Sequence, residues 1–166
     1  MGAPDEGETQ LLGAFYLWDF SPAFPSGYGG TKAPILVSDS PFDLIDNILT
    51  ENNGTMTQPV ISVMPAVNTD KVRTFADHPF GAGTGTVAMG VDLSFIVSCW
   101  ADEQMGGGPT VKKLMGQVQG CVLANRNSLT AFRHLLCRGG SELYEERPQM
   151  WRADLFVTGD GVNSVS

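Results

Sequence analysis

The chain has 166 residues and carries 18 acidic and 10 basic side chains, a net charge of −8; 42% of its residues are hydrophobic and 17% are charged. This length fits a single domain, and the composition has too much apolar material and too little charge for a disordered chain. Because duplex DNA binding requires a Lys/Arg surface that replaces counterions, the acidic balance argues against a protein that binds free DNA.

The opening residues, MGAPDEGETQ, contain no recognisable targeting segment. They are acidic and lack the basic and apolar regions of a signal peptide. No run of about 18 apolar residues, the length that a membrane span needs, occurs anywhere in the chain. We therefore expect a protein that stays in a cytoplasm or in a particle assembled there, with no membrane partner.

Residues 1–39 are predicted to form an extended N-terminal arm. Proline and glycine interrupt an aromatic-rich stretch, which leaves room for at most one short strand near Leu11 to Trp18. Either the chain's own sheet or a neighbouring subunit covers the aromatic side chains, which are common interface anchors. The interface candidates are Phe15, Tyr16, Trp18, Phe20, Phe24 and Tyr28. Because the arm is expected to dock from outside, a chain without residues 1–30 is expected to stay folded.

A helix is predicted over residues 41–51 and a short strand over residues 59–64. Ser40 can cap the helix, and apolar residues recur within it at helical spacing. Gly54 tolerates the positive φ at which helices often end.

Residues 66–85 lack a periodic apolar pattern and end in the glycine-rich run GAGTG. The run precedes a strand instead of joining a strand to a helix, and no Lys-Ser/Thr pair follows, so it does not fit a phosphate-binding loop. We expect a flap or hairpin tip that a partner orders.

The longest predicted element is a strand over residues 86–100. Its apolar residues alternate: Val87, Met89, Val91, Leu93, Phe95, Val97 and Cys99. The residues between them are small or polar apart from Ile96, so one face is expected to be buried and the other thinly covered. About 14 residues at ~3.3 Å each span roughly 45 Å, which predicts pairing or packing outside the subunit.

A second helix is predicted over residues 110–125, capped by Thr110 and apolar along one side. Gly116 and Gly120 lie four residues apart in it. Because each costs about 1 kcal/mol relative to alanine inside a helix, we expect another backbone to approach there.

The last part of the chain is predicted to form a β-hairpin. Residues 129–137 fit either a short helix or an irregular edge element, whereas residues 144–147 and 151–157 are spaced as paired strands. Residues 159–166 are expected to be a frayed tail. Together the elements predict one α+β domain over residues 40–166, a mainly antiparallel sheet packed by two helices.

Charge is distributed unevenly along the chain. Residues 1–103 carry 13 acidic and 3 basic side chains, a net −10, whereas residues 104–166 carry 5 acidic and 7 basic, a net +2. Chance unevenness is one explanation. The other is a subunit that meets copies of itself head to tail, for which the candidate cations are Lys112, Lys113 and Arg126.

No catalytic, cofactor or metal site is predicted. Three widely spaced cysteines favour reduced core thiols over a disulfide framework. His134 and Cys137 have a ligand-like spacing, but zinc needs about four ligands and no second pair is present. Adjacent carboxylates at 102–103 and 145–146 are typical of solvated charge. We therefore expect a protein that is not an enzyme.

The order of these elements resembles that of the tail terminator and tail completion proteins of tailed bacteriophages. The resemblance covers roughly residues 40–158; it lies in VDLSFIVSCWADEQ, GPTVKKLMGQVQGCVLAN and MWRADLFVTG, which look like that family's sheet strand, packing helix and returning strand. It implies a homohexameric ring at the head-proximal end of the tail that ends the tail tube and docks the head-completion or connector protein. DNA would pass through the lumen without sequence-specific binding, and the protein would belong to the virion neck after assembly in the host cytoplasm.

Other functions stay open at this point. The aromatic arm departs from the shorter family members, so the chain also fits another phage neck or tail-tube component. A small ligand-binding or enzymatic domain could use residues 66–85 as a flap over a pocket, and a monomeric regulatory module is a further alternative.

Overall fold

The structure, a computed structural model, describes residues 3–26, 32–37, 41–54, 56, 58–66, 73–74, 87–146 and 149–165. They form an α+β fold of three α-helices and a mixed six-stranded sheet. The helices are α1 (Ala3–Leu17), α2 (Pro41–Glu51) and α3 (Gly107–Ala124). The strands are β1 (Ile35–Val37), β2 (Val60–Pro65), β3 (Arg73–Thr74), β4 (Val87–Ala101), β5 (Arg133–Glu146) and β6 (Gln149–Val165).

The strand order is β1-β2-β4-β6-β5, and β3 pairs with β4 beyond the end of β2. Only β1 and β2 run parallel among the described strands. The mainly antiparallel sheet, the helix at 41–51, the strand at 59–64 and the C-terminal hairpin are thus confirmed. Apart from β3, most of the predicted flap at 66–85 lies outside the described residues.

The long strand is confirmed as β4, and its partner β6 is longer than predicted. All fifteen residues of β4 pair with β6, from Val87 opposite Val165 to Ala101 opposite Trp151. The predicted frayed tail at 159–166 is therefore wrong up to Val165. Backbone hydrogen bonds to the far end of β4 hold that segment in a strand, although its own side chains carry little apolar pattern.

One face of the sheet, here called the closed face, is covered by α1 and α3. The alternate β4 residues from Leu93 to Cys99 are buried on it, and the Phe95 ring packs edge to face on Phe132 at a centroid distance of 5.8 Å. From β6, Ala153, Leu155 and Val157 complete this layer and are fully buried. The period-two pattern of the sequence is confirmed on this face.

The extended aromatic arm is not confirmed, and the short strand predicted near Leu11 to Trp18 is wrong. Residues 3–17 form α1, whose Leu11 and Phe15, four residues apart, are buried in the core. Proline is tolerated in the first turn of a helix, so Pro4 does not prevent it. The fold therefore has three helices among its described residues where two were predicted.

The opposite face of the sheet is only partly covered, by α2. Phe42 of α2 packs edge to face on Trp100 at 5.4 Å, and Trp100 is fully buried. Ser98 is buried as well, so the prediction that this whole face is thinly covered is wrong at the Trp100 end. Toward the other end of β4, Ser94 and Ile96 remain partly exposed.

Helix α3 begins three residues before the predicted cap. Gly106, at φ +92°, is the residue that precedes it, and the Thr110 hydroxyl lies inside the helix and donates to the Met105 carbonyl at 2.7 Å. The left-handed conformation explains the glycine, since residues with a Cβ rarely adopt it. The side chain of Asp102 accepts hydrogen bonds from the Met56 and Met105 amides and fixes this turn.

The segment at 129–137, left open by the sequence, is a turn that leads into strand β5 from Arg133 onward. The β5–β6 register shifts twice, between Arg133 and Leu136 and between Gly139 and Glu142. Such bulges twist an edge strand and interrupt its regular hydrogen-bonding edge.

Candidate functional site

The predicted aromatic anchors divide between the core and the surface. Phe15, Phe20 and Phe24 are buried inside the chain, with Phe15 and Phe20 in edge-to-face contact at 6.5 Å, so they are not interface anchors. Trp18 is half-buried and donates from Nε1 to Gln117 at 3.2 Å. The remaining two anchors are Tyr16, which is exposed, and Tyr28, which lies outside the described residues.

Exposed apolar side chains occur at the ends of α1 and α3. Tyr16 and Leu17 are the last residues of α1 and are 51% and 85% exposed. Leu123, near the end of α3, is 61% exposed and lies on the side of α3 that faces β5. The Cys121 thiol donates to the Ala14 carbonyl, which brings the last turn of α1 beside this part of α3. Trp18, the next residue after α1, donates to Gln117 and lies over Gly120 of α3.

The three predicted cations lie on or just after α3. All three are exposed, and Lys112 pairs with Glu142 at 2.9 Å. No acidic residue occurs within α3, and no basic residue occurs within α2, whose charged residues are Asp43, Asp46 and Glu51. Helices α2 and α3 thus carry charge of opposite sign.

The sheet face beside α2 exposes an apolar row that sequence reasoning missed, and we call it the open face. Its apolar members, Met64, Ile96 and Phe156, lie side by side on β2, β4 and β6. The exposed Arg138 of β5 lies next to Phe156 and ends the row with a positive charge. Phe156 is 42% exposed, and Leu136 on the same face is 48% exposed. In the sequence, Ile96 is the apolar exception among the small and polar residues that alternate along β4. Phe156 is the matching apolar residue at the even-numbered positions of β6.

An ionic cluster joins α2 to this side of the sheet. The Arg152 guanidinium pairs with Glu145 at 2.7 Å and with Asp154 at 3.0 Å, and Ser98 donates to Asp154 at 2.6 Å. The guanidinium carbon also lies 5.2 Å from the ring centroid of Phe42. The charge-assisted hydrogen bonds fix the Arg152 guanidinium on the sheet, and its cation–π contact with Phe42 holds α2 at the Trp100 end. The Ile96 row lies four residues, or about 13 Å, further along β4.

A groove of about 470 Å³ lies between α3 and β5. Its lining includes Leu123, Arg126, Phe132, His134 and Cys137. His134 is exposed, adopts a φ of +52° at the first β5 bulge, and lies 3.0 Å from an Asp160 carboxylate oxygen. The volume is in the range of small-ligand pockets, but no described residue of the predicted flap at 66–85 is among those that line it.

The three cysteines are free thiols with suppressed reactivity. Burial raises the pKa of Cys99 strongly and the pKa of Cys121 to about 11, and it also raises the pKa of Cys137. Since the thiolate is the nucleophile, all three are poor nucleophiles at neutral pH.

Neither a metal cluster nor a membrane span is found in the part of the chain that the structure describes. Within it, no group of three or more His, Cys, Asp or Glu side chains is placed to hold a metal ion. No helix there is long and apolar enough to cross a membrane.

The chain was compared with known proteins. No protein-family model matches it. A search of curated protein sequences also found no match.

Proposed function

We propose that this protein is a structural subunit of a phage virion that forms a homohexameric ring at the head-proximal end of the tail. In that position it ends the tail tube and docks the head-completion or connector protein. The proposal assigns it no catalytic residue and no cofactor, and its place is the virion neck, after assembly in the host cytoplasm.

The observation that carries the proposal is a projecting β-ribbon at one end of the sheet. β5 pairs with β6 only as far as Asp160, and β2 pairs with β4 only as far as Phe95, yet β4 and β6 continue together to Val87 and Val165. The five pairs beyond Asp160 extend about 17 Å. Beyond β5, the outer edge of β6 has no strand partner among the described residues. β3 pairs with Met89 and Gly90 on the β4 side of this ribbon, which leaves the β6 side as its unpaired edge among the described residues. An unpaired sheet edge is a template for pairing with another chain, so a neighbouring subunit is a natural place for it to pack.

The charge balance supports a DNA conduit. A net charge of −8 gives a ring of such subunits a negative field, and like charge on a lumen wall keeps the phosphate backbone from adhering. DNA would then pass through without sequence-specific contact.

The experiment compares the full chain with a chain that ends at Asp160. Each is mixed with tail tube subunits and viewed by negative-stain microscopy. The full chain is expected to form rings that cap tube ends, and the shortened chain to remain folded, because it keeps every β5–β6 pair, but to form no ring. A full chain that stays monomeric and leaves tubes uncapped would contradict the proposal; rings from the shortened chain would exclude the ribbon from the contact.

Two alternative functions predict different outcomes, one in the same images and the other in thermal melts. Spontaneous growth of the purified protein into long tubes would identify a tail-tube component. The groove of about 470 Å³ favours a ligand-binding domain as a second candidate. A saturable ligand that raises the melting temperature of a strictly monomeric protein would support that function instead.

A further inference from the structure

The groove between α3 and β5 has an apolar floor, and we call it the α3–β5 groove. Val122 and Phe132 line it and are buried, so they form its floor. Leu123 of α3 and Leu135 of β5 add further apolar lining. A volume of about 470 Å³ is large enough for a small organic molecule.

One end of the groove is closed by a tight contact between α3 and β5. Side-chain atoms of Met115 and Gln119 lie 3.2 Å from the position that a Cβ on Gly139 would occupy. A glycine at this place in β5 therefore lets the α3 side chains pack directly on the strand. Because Gln119 also lines the groove, the groove runs from this contact toward Arg126, near the end of α3.

The open end of the groove carries a cation that has no ion-pair partner. Arg126 is exposed, and its Nη1 donates to the Leu123 carbonyl at 3.4 Å, which places the guanidinium beside the groove. Among the described residues, no carboxylate pairs with Arg126 and none of the side chains that line the groove is acidic. Most of the five guanidinium N–H donors are therefore available to an anion.

His134 stands at the same end in an uncommon backbone conformation. Its φ of +52° lies in the left-handed region, which residues with a Cβ rarely adopt and which is enriched at functional sites. Its Nδ1 lies 3.0 Å from an Asp160 carboxylate oxygen, so the acidic side chain beside this end of the groove is already paired. The ring of His134 is thereby fixed as part of the groove wall.

We propose that the α3–β5 groove binds a small organic carboxylate with an apolar body, of the class of medium-chain fatty acids. The apolar chain would lie over Val122 and Phe132, and the carboxylate would accept hydrogen bonds from Arg126. A guanidinium presents its donors in a planar fork that matches a carboxylate. No residue that lines the groove belongs to the projecting ribbon, so this site can exist with or without the proposed ring.

Three probes of equal chain length test the class of ligand. Octanoate, octanol and octylammonium are each titrated into the full chain by isothermal titration calorimetry. Octanoate is expected to bind at one saturable site, at least about tenfold more tightly than octanol, because only the carboxylate can form charge-assisted hydrogen bonds with Arg126. Octylammonium is expected to bind more weakly than octanol. Absence of saturable octanoate binding, or equal affinity for octanoate and octanol, would overturn the proposal.

Two arginine variants locate the carboxylate. Arg126→Gln is expected to weaken octanoate binding at least about tenfold and to change octanol binding less than about twofold. Arg138→Gln is the matched control, because Arg138 is also exposed and lies on β5 but does not line the groove. Both variants are expected to keep the wild-type melting temperature within a few degrees, since both side chains are exposed. Octanoate binding by Arg126→Gln at the wild-type affinity would overturn the assignment.

Two leucine variants locate the apolar chain. Leu123→Ser is expected to weaken octanoate and octanol binding alike, by at least about threefold, because it removes part of the apolar lining. Leu136→Ser is the control, since Leu136 is 48% exposed on the open face and does not line the groove. Equal losses from both substitutions would indicate unspecific apolar binding and contradict the site. Octanoate binding by a protein that never assembles would contradict the ring alone, and rings that bind no octanoate would contradict this site alone.

Discussion

The two faces of the sheet differ in how completely the chain accounts for them. On the closed face, Leu93, Phe95 and Val97 are buried beneath α1, α3 and the turn that carries Phe132. On the other face, α2 covers Trp100 and leaves Ile96 and Phe156 partly exposed. The stability of the subunit explains the first face, whereas the described residues leave the second face partly uncovered.

The largest expected effect on stability comes from deleting the N-terminal segment, which the sequence predicts to be a removable arm. Deleting residues 1–26 is expected to abolish folding, because it removes four large buried side chains: Leu11, Phe15, Phe20 and Phe24. At roughly 1.5–3 kcal/mol each, their loss is comparable with the ~5–15 kcal/mol that stabilises a domain. Circular dichroism during thermal unfolding is the measurement, and a cooperative transition in the shortened chain would show that α1 is dispensable.

The next largest effect compares the two faces of the sheet through substitutions at two adjacent residues of β4. Leu93→Asp buries an unpaired carboxylate on the closed face at a cost of several kcal/mol and is expected to yield no soluble folded protein. Ser94→Asp points to the partly exposed face and is expected to fold with a nearly unchanged melting temperature. Equal damage from both substitutions would mean that the open face is covered within the subunit.

The sequence predicted those elements whose signals are local and periodic. The alternation from Leu93 to Cys99 identified β4, and Ser40 to Gly54 bounded α2 closely. The N-terminal segment was predicted wrongly because aromatic content and nearby Pro and Gly outweighed the helical i, i+4 spacing of Leu11 and Phe15.

The candidate site was predicted less well than the fold. Lys113, Arg126 and Tyr16 were predicted as interface residues, and the structure shows that all three are exposed. Leu17 and Phe156 were missed, since exposure depends on which helix covers which face, and that is decided by tertiary packing. The extension of β6 to Val165 was missed for a similar reason, because its support comes from the backbone of β4.

A smaller effect is expected at the ionic cluster that anchors α2. Arg152→Met leaves Glu145 and Asp154 without their shared cation and is expected to lower the free energy of unfolding by about 2–3 kcal/mol, a partly buried case of losing one ion-pair partner. Arg138→Met, an exposed arginine on the same face, is the control and is expected to change it by less than about 0.5 kcal/mol. Urea titration measures both, and equal values would show that the cluster contributes nothing to holding α2.

The smallest expected effect has opposite signs at two glycines of α3. Gly116→Ala is expected to stabilise the subunit by about 1 kcal/mol, because no atom lies within 4 Å of an added Cβ. Within the subunit, the close backbone approach predicted from this glycine is therefore absent at the described residues. Gly107→Ala is expected to destabilise, since Gly107 has a φ of +52° and an added Cβ would lie 2.9 Å from Trp151. Melting temperatures shifting in the same direction would contradict this account of α3.

The most direct test of the central claim is the mass of the wild-type protein in solution. Native mass spectrometry over a range of concentrations is expected to show one closed species of six copies of the 17.8 kDa chain, about 107 kDa. Where the purified protein assembles only on its partner, that species should appear on mixing with tail tube subunits. A mass of 17.8 kDa at every concentration, with and without tube subunits, would contradict the claim that this chain is a ring-forming subunit.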